Sequence, residues 1–160
     1  MTKSEQKFVK QWLYSIPKTE VAIKNLERAI DDLSERRQSP PTWMSNPDAL
    51  GVQGGSGGSK QETWVEFLDM YEARMSYLQD TLARHKRKIE QYNDTLEAMN
   101  NDVVGALGVA IIKYKYYRHI KPDSAIYTLY LFCSQKTFYN YHFRALQYFA
   151  QTLPDIFHKI

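Results

Sequence analysis

A chain of 160 residues with 43% hydrophobic content has room for one small domain and a helical extension, which sets it apart from disordered polymers. The lone cysteine, Cys133, excludes an intramolecular disulfide and argues against a thiolate metal site; it is read as a small packed hydrophobe. The net charge of +3 is uneven: residues 1–100 hold 14 Lys and Arg against 15 Asp and Glu, residues 101–160 hold 7 against 3. The basic excess after residue 100 is the sign that a phosphate-rich partner requires.

Taken in chain order, Ser4 to Ile16 is the first helical stretch, with Phe8, Val9, Trp12, Leu13 and Ile16 on one face and Pro17 ending it. Thr19 is the expected cap of a second helix reaching Arg37, with Ile23, Leu26, Ile30 and Leu33 as a narrow apolar seam. Residues 38–60 form a loop rich in Gly and Pro, ending in a Gly/Ser run with the composition of flexible coil, whether natural or introduced as a linker. The phosphate-binding pattern Gly-x-x-x-x-Gly-Lys-Ser/Thr is absent there, since Gln61 follows Lys60.

From Lys60 to Asn100 the apolar positions step by 4 and 3 through Trp64, Leu68, Tyr71, Met75, Leu78, Leu82, His85, Ile89, Tyr92, Leu96 and Met99. That period predicts a long helix whose first half packs antiparallel on the second helix, and whose remainder meets a second copy or the C-terminal domain. Leu68, Tyr71, Met75, Leu78, Leu82, His85, Ile89 and Tyr92 are the expected oligomerisation residues, His85 being a polar register position. Residues 1–100 therefore read as a helical hairpin or coiled coil, and 101–160 as a separate domain.

In that domain Asp102 is the expected cap of a helix to His119, which buries Val104, Leu107, Ile111, Ile112 and Tyr116. A connector containing Pro122 leads to a short helix over Ser124–Leu131, capped by Asp123 or Ser124. Ser134 then caps a helix to Leu153, with Phe138, Tyr141, Ala145, Leu146 and Phe149 on one stripe. The other side carries Gln135, Lys136, Tyr139, Asn140, Phe143, Arg144 and Gln147, without an acidic side chain. His142 is placed at the boundary or towards phosphate. Phe143 is expected to meet another subunit or the rest of the domain ahead of a base. Ile156, Phe157 and Ile160 form an amphipathic tail after Pro154.

The run Ser134-Gln-Lys-Thr-Phe-Tyr-Asn-Tyr-His-Phe-Arg-Ala-Leu-Gln-Tyr-Phe-Ala150 resembles the C-terminal signature of the ArpU/RinA family of phage and prophage transcriptional regulators. The resemblance covers about the last fifty residues and extends loosely to a Gly/Pro-rich loop between N-terminal helices. It implies an all-α protein whose C-terminal helix-turn-helix is similar to region 4 of sigma factors, and a regulator of late-gene transcription acting on double-stranded DNA beside host RNA polymerase. Carried over residue by residue, it implies base reading by Gln135, Lys136, Tyr139 and Asn140. Lys113, Lys115, Arg118, Lys121, Thr137 and Arg144 are the expected phosphate contacts. Two departures stand out: Thr128 where the family has a small residue, and Phe132 where it has Gly or Asn at the turn.

No enzyme, cofactor or metal is expected, because His85, His119, His142 and His158 form no paired-histidine motif and adjacent Asp31 and Asp32 point about 100° apart on a helix. The twelve tyrosines mostly occupy seam positions, which favours packing over stacking on single strands. With no leader pattern and no apolar run of ~18 residues, a cytoplasmic protein of the bacterial host is expected, with no membrane contact. A homodimer or small oligomer would bind paired half-sites. The alternatives are a small-terminase-like packaging protein and a helical adaptor that binds no DNA.

Overall fold

The computed structural model describes residues 1–39, 57–153 and 156, with only the backbone for 57–60. Of the loop expected over residues 38–60, Gln38 and residues 57–60 are helical and 40–56 lie outside the described residues, as do Pro154 and the tail residues Phe157 and Ile160. Every regular element described is helical: α1 (Lys3–Tyr14), α2 (Ile16–Gln38), α3 (Gly57–Asn100), α4 (Gly105–Ile112), α5 (Asp123–Ala125) and α6 (Gln135–Thr152). α4 continues as a π-helical turn over Lys113–Tyr117, and α5 as another over Ile126–Tyr130. None of these helices is long and apolar enough to cross a membrane.

The chain forms two compact units: residues 1–21 with 86–160, and residues 22–85. Both boundaries fall inside helices, and the division expected near residue 100 lies within the first unit.

In unit 22–85, the end of α2 lies beside the start of α3. The Arg36 guanidinium sits 4.5 Å from the centre of the Phe67 ring and that of Arg37 4.8 Å from Tyr71. Ala29 and Leu33, earlier in α2, share a depression with Arg74 and Leu78, later in α3. The two segments are therefore antiparallel, and Trp64, Met75 and Leu78 of α3 are buried. Cation–π contacts suit this pair because each seam is one residue wide, and long arginine stems cover its edge.

Unit 1–21/86–160 contains the larger core. Val9 and Leu13 of α1, Leu96 and Met99 of α3, Ile112 of α4 and Tyr116 of the π turn after it, and Leu146 and Phe149 of α6 are buried together. Trp12, Tyr92 and Phe149 bring one ring each from α1, α3 and α6, with centroids 6.0 to 6.5 Å apart, within the range of favourable aromatic contact. A smaller cluster of Ile111, Ile126 and Phe138 ties α5 to α4 and α6.

Several expected caps differ. α1 starts at Lys3, one residue before the expected Ser4, and is capped by Thr2 through a reciprocal pair in which Glu5 N–H donates to its hydroxyl at 3.1 Å and Thr2 N–H to the Glu5 carboxylate at 2.6 Å. Thr19 lies inside α2, its hydroxyl donating to the Ser15 carbonyl, because Pro17 occupies the first turn, where its missing N–H costs nothing. Asp102 accepts from the adjacent Val103 N–H, and α4 starts only at Gly105, which takes φ +59°. Neither Asp123 nor Ser124 caps α5, which follows Pro122.

Both π turns close in the same way. Ile120 N–H donates to the Tyr114 carbonyl at 3.1 Å and Cys133 N–H to that of Tyr127 at 3.0 Å. The residue before each donor, His119 and Phe132, is left-handed at φ 54° and 49°. Left-handed backbone costs a side-chain-bearing residue ~1 kcal/mol or more, and Phe132 is 84% exposed, with little packing to offset it. Phe132→Gly is expected to raise the unfolding free energy by about 1 kcal/mol and Gly105→Ala to lower it by a similar amount, read by urea denaturation. In the same assay Phe149→Ala should cost ~3 to 5 kcal/mol.

Candidate nucleic-acid interface

Ser134 starts α6 by accepting the Thr137 N–H at 3.1 Å, so the first turn has a satisfied donor and a fixed entry angle. Four core residues, Phe138, Ala145, Leu146 and Phe149, then fix its rotation, each no more than 1% exposed. Tyr141 is only half-buried. This rotation leaves Gln135, Lys136, Asn140 and Arg144 exposed, with Tyr139 44% and Phe143 41% exposed beside them. The candidate base readers thus share one solvent face.

The expected phosphate contacts divide. Lys113, Arg118 and Lys121 are exposed, with the Arg118 guanidinium 5.3 Å from the centre of the Tyr114 ring. Arg144 lies 5.5 Å from Tyr141. Thr137 is half-buried and its hydroxyl accepts from Ser134 at 2.9 Å, so it belongs to the cap as much as to a surface. Lys115 departs most from expectation. Its ammonium lies 2.9 Å from both Asp123 carboxylate oxygens, half-buried, and its charge is neutralised within the fold. The same carboxylate accepts the Tyr139 hydroxyl at 3.3 Å, which holds that ring in place. α6 itself has no acid on this face, but α5 brings Asp123 to its edge. Spacing along one helix gives no sign of a side chain arriving from another.

His142 is corrected from boundary to core: it is 6% exposed. Four residues after Phe138, it lies only about 40° round the helix from that ring, inside the buried stripe. Its polarity concealed a position that the angle alone would have identified. The Tyr116 hydroxyl meets its Nε2 at 2.6 Å, and Tyr116 and Phe138 stack on either side at 5.7 and 6.0 Å. Burial, then the charges of Lys115 and Lys10, lowers the imidazole pKa to about 4; burial raises that of the Tyr116 phenol. Both groups are therefore neutral near pH 7, and a single hydrogen bond joins the phenol oxygen to Nε2.

Three of the eight expected oligomerisation residues are buried within the chain and five are half-buried. Tyr92 is buried and Ile89 half-buried in the core of unit 1–21/86–160; in the other unit Met75 and Leu78 are buried, and Leu68, Tyr71, Leu82 and His85 half-buried.

Charge separates by unit. Residues 1–21 with 86–160 hold 14 Lys and Arg against 8 Asp and Glu, a net +6, and residues 22–85 hold 7 against 10, a net −3. Among the described residues no group of three or more His, Cys, Asp or Glu is placed to hold a metal ion. The chain matches no protein-family model, and no curated protein or solved structure is significantly similar to it.

The His142 pKa makes stability depend on pH. In the unfolded chain the group has its ordinary pKa of 6.5, so as pH falls the unfolded state takes up the proton first. The contribution of this group is fully present above pH 6.5, falls by up to roughly 1.4 kcal/mol per pH unit towards pH 4, and changes no further below it. His142→Gln keeps an acceptor for Tyr116 without titrating. Chemical denaturation at several pH values should show a flatter profile for this variant between pH 6.5 and 4; an unchanged profile would assign the acid sensitivity elsewhere.

Proposed function

We propose that this protein is a sequence-specific regulator of transcription that binds double-stranded DNA. In this reading α5, the turn at Leu131–Ser134 and α6 form a helix-turn-helix, and α6 is the recognition helix. The observation that carries it is the outward face of α6, where Gln135, Lys136 and Asn140 are exposed on the unit with net charge +6. Amide and ammonium groups on a helix of that sign suit the major groove, where Asn bonds adenine bidentately and Lys bonds guanine. The left-handed backbone of Phe132 adds support, since the ArpU/RinA pattern that the chain resembles has Gly or Asn there.

Gln135, Lys136, Asn140 and Tyr139 read bases, the last held by Asp123; Lys113, Arg118, Lys121 and Arg144 fix the protein on phosphates. Lys115 is left out of that set, its charge being matched by Asp123. The resemblance gives activation of phage or prophage late genes, beside host RNA polymerase, as the biological setting. Paired half-sites need two copies; Met75, Leu78 and Tyr92 are buried within each chain, which leaves the half-buried Leu68, Tyr71, Leu82 and Ile89 of the same seam to join them.

The test is fluorescence anisotropy on a selected duplex and a scrambled control across a salt series. Asn140→Ala should reduce affinity for the selected duplex roughly 5- to 150-fold, the ~1 to 3 kcal/mol of one base contact, and leave the salt slope intact. Equal, mutation-insensitive binding to both duplexes would overturn sequence reading by α6. Rings of many copies in sedimentation would favour a packaging role, and no duplex binding at all a helical adaptor.

A further inference from the structure

α1 carries a second basic surface that the charge distribution along the sequence hides. Lys3, Lys7, Lys10 and Tyr14 recur at steps of 4, 3 and 4, so they share one face of the helix, on the side away from Phe8 and Trp12. Together with Gln6 and Gln11 they line one shallow depression of about 370 Å³. Lys3 and Lys7 are exposed, and Lys10 half-buried. Among the described residues no carboxylate pairs with these three ammonium groups. Glu5 accepts the Thr2 N–H at 2.6 Å, Glu20 accepts the Tyr117 hydroxyl at 2.6 Å, and Asp123, whose charge reaches Tyr14, is paired with Lys115 at 2.9 Å.

Position links this face to the candidate interface. α1 packs on α6 and on the π turn at Lys113–Tyr117. Tyr14, at the end of the lysine stripe, stacks on His119 at 5.3 Å and meets the edge of Tyr116 at 4.7 Å. The stripe therefore leads into the segment holding Arg118 and Lys121. Lysines three and four residues apart on a helix are roughly 5 to 6 Å from one another. Each can meet a different phosphate along a strand whose charges recur every ~3.4 Å of duplex axis.

We infer that the Lys3–Lys7–Lys10 face of α1 binds the DNA backbone flanking the segment read by α6, extending the footprint beyond the helix-turn-helix. This inference rests on the DNA-binding reading. It names a sequence-independent clamp that would add affinity and salt dependence and no base discrimination.

The experiment uses the full chain with Lys3, Lys7 and Lys10 all changed to Gln, and all changed to Arg as a charge-preserving control. Both sets are surface changes, and matching thermal melts establish that each variant is folded. Affinity is measured over a salt series on a selected duplex, a scrambled duplex, and a selected duplex trimmed of its flanks. The Gln variant should bind both full-length duplexes more weakly by a similar factor, with the slope of log K against log salt reduced by about 2 to 3, roughly 0.9 per lysine. It should lose little on trimming, whereas the parent and the Arg variant lose affinity to its level. An unchanged slope in the Gln variant would overturn the clamp, and Asn140→Ala would still report on base reading separately. Loss of binding to anionic lipid vesicles with duplex affinity intact would overturn it in favour of a membrane surface.

Discussion

The hydrogen bond between Tyr116 and His142 lies at the centre of a row of rings that runs through the DNA-binding candidate. Tyr14 of α1 meets Tyr116 after α4, Tyr116 meets His142 of α6, His142 meets Phe138, and Phe138 meets Tyr127 after α5, each centroid 4.7 to 6.0 Å from the next. Four helical segments thus depend on one buried polar contact. An unpaired phenol or imidazole at that depth would cost more than the bond contributes, so the pair constrains which way α6 can face. That facing decides which side chains reach solvent, and Asn140 is among them.

Electrostatics adds a second layer to the same architecture. The Lys115–Asp123 pair sits at the edge of the α6 face, fixes Tyr139 through its hydroxyl, and removes one cation from solvent. The remaining positive charge is spread over residues distant in sequence, some in α1 and others after Ile112. A division of the chain at residue 100 scored α1 with acidic residues of the other unit and so diluted it. The fold regroups the charges, and the unit at +6 is more strongly polarised than either half of the sequence.

What could be read from residue order follows physical locality. The Ser134 cap, the α6 stripe and the α2 seam are each set by side chains within a few positions, and all are found in the structure. The burial of His142 was legible from its angle but contradicted by its chemistry, and only the Tyr116 hydroxyl resolves the conflict. The long seam of α3 was legible as apolar, and so was the antiparallel α2 partner of its first half; the partner of its second half was legible only as one of two alternatives. Tyr92 packs on Trp12 and Phe149, residues 80 and 57 positions away, whereas a heptad pattern is equally consistent with a second copy. The roles of Asp123 and of the α1 lysines depend on contacts between helices and leave no periodic trace.

The paired π turns bear on how this chain should be compared with others. Each contains a hydrogen bond that spans one more residue than an α-helical turn does, Arg118 N–H to the Lys113 carbonyl in one and Leu131 N–H to that of Ile126 in the other, so each accommodates one extra residue before the chain turns away. Tyr114 and Tyr127 occupy equivalent places, as do His119 and Phe132, and Ile120 and Cys133, all offset by 13 residues. In a relative whose helices end in ordinary α turns, the matching position would be displaced by one on either side of these points. An alignment that allows single-residue gaps only in loops would then put the wrong residues opposite the α6 face, and remote kinship would be lost at the segment most useful for finding it.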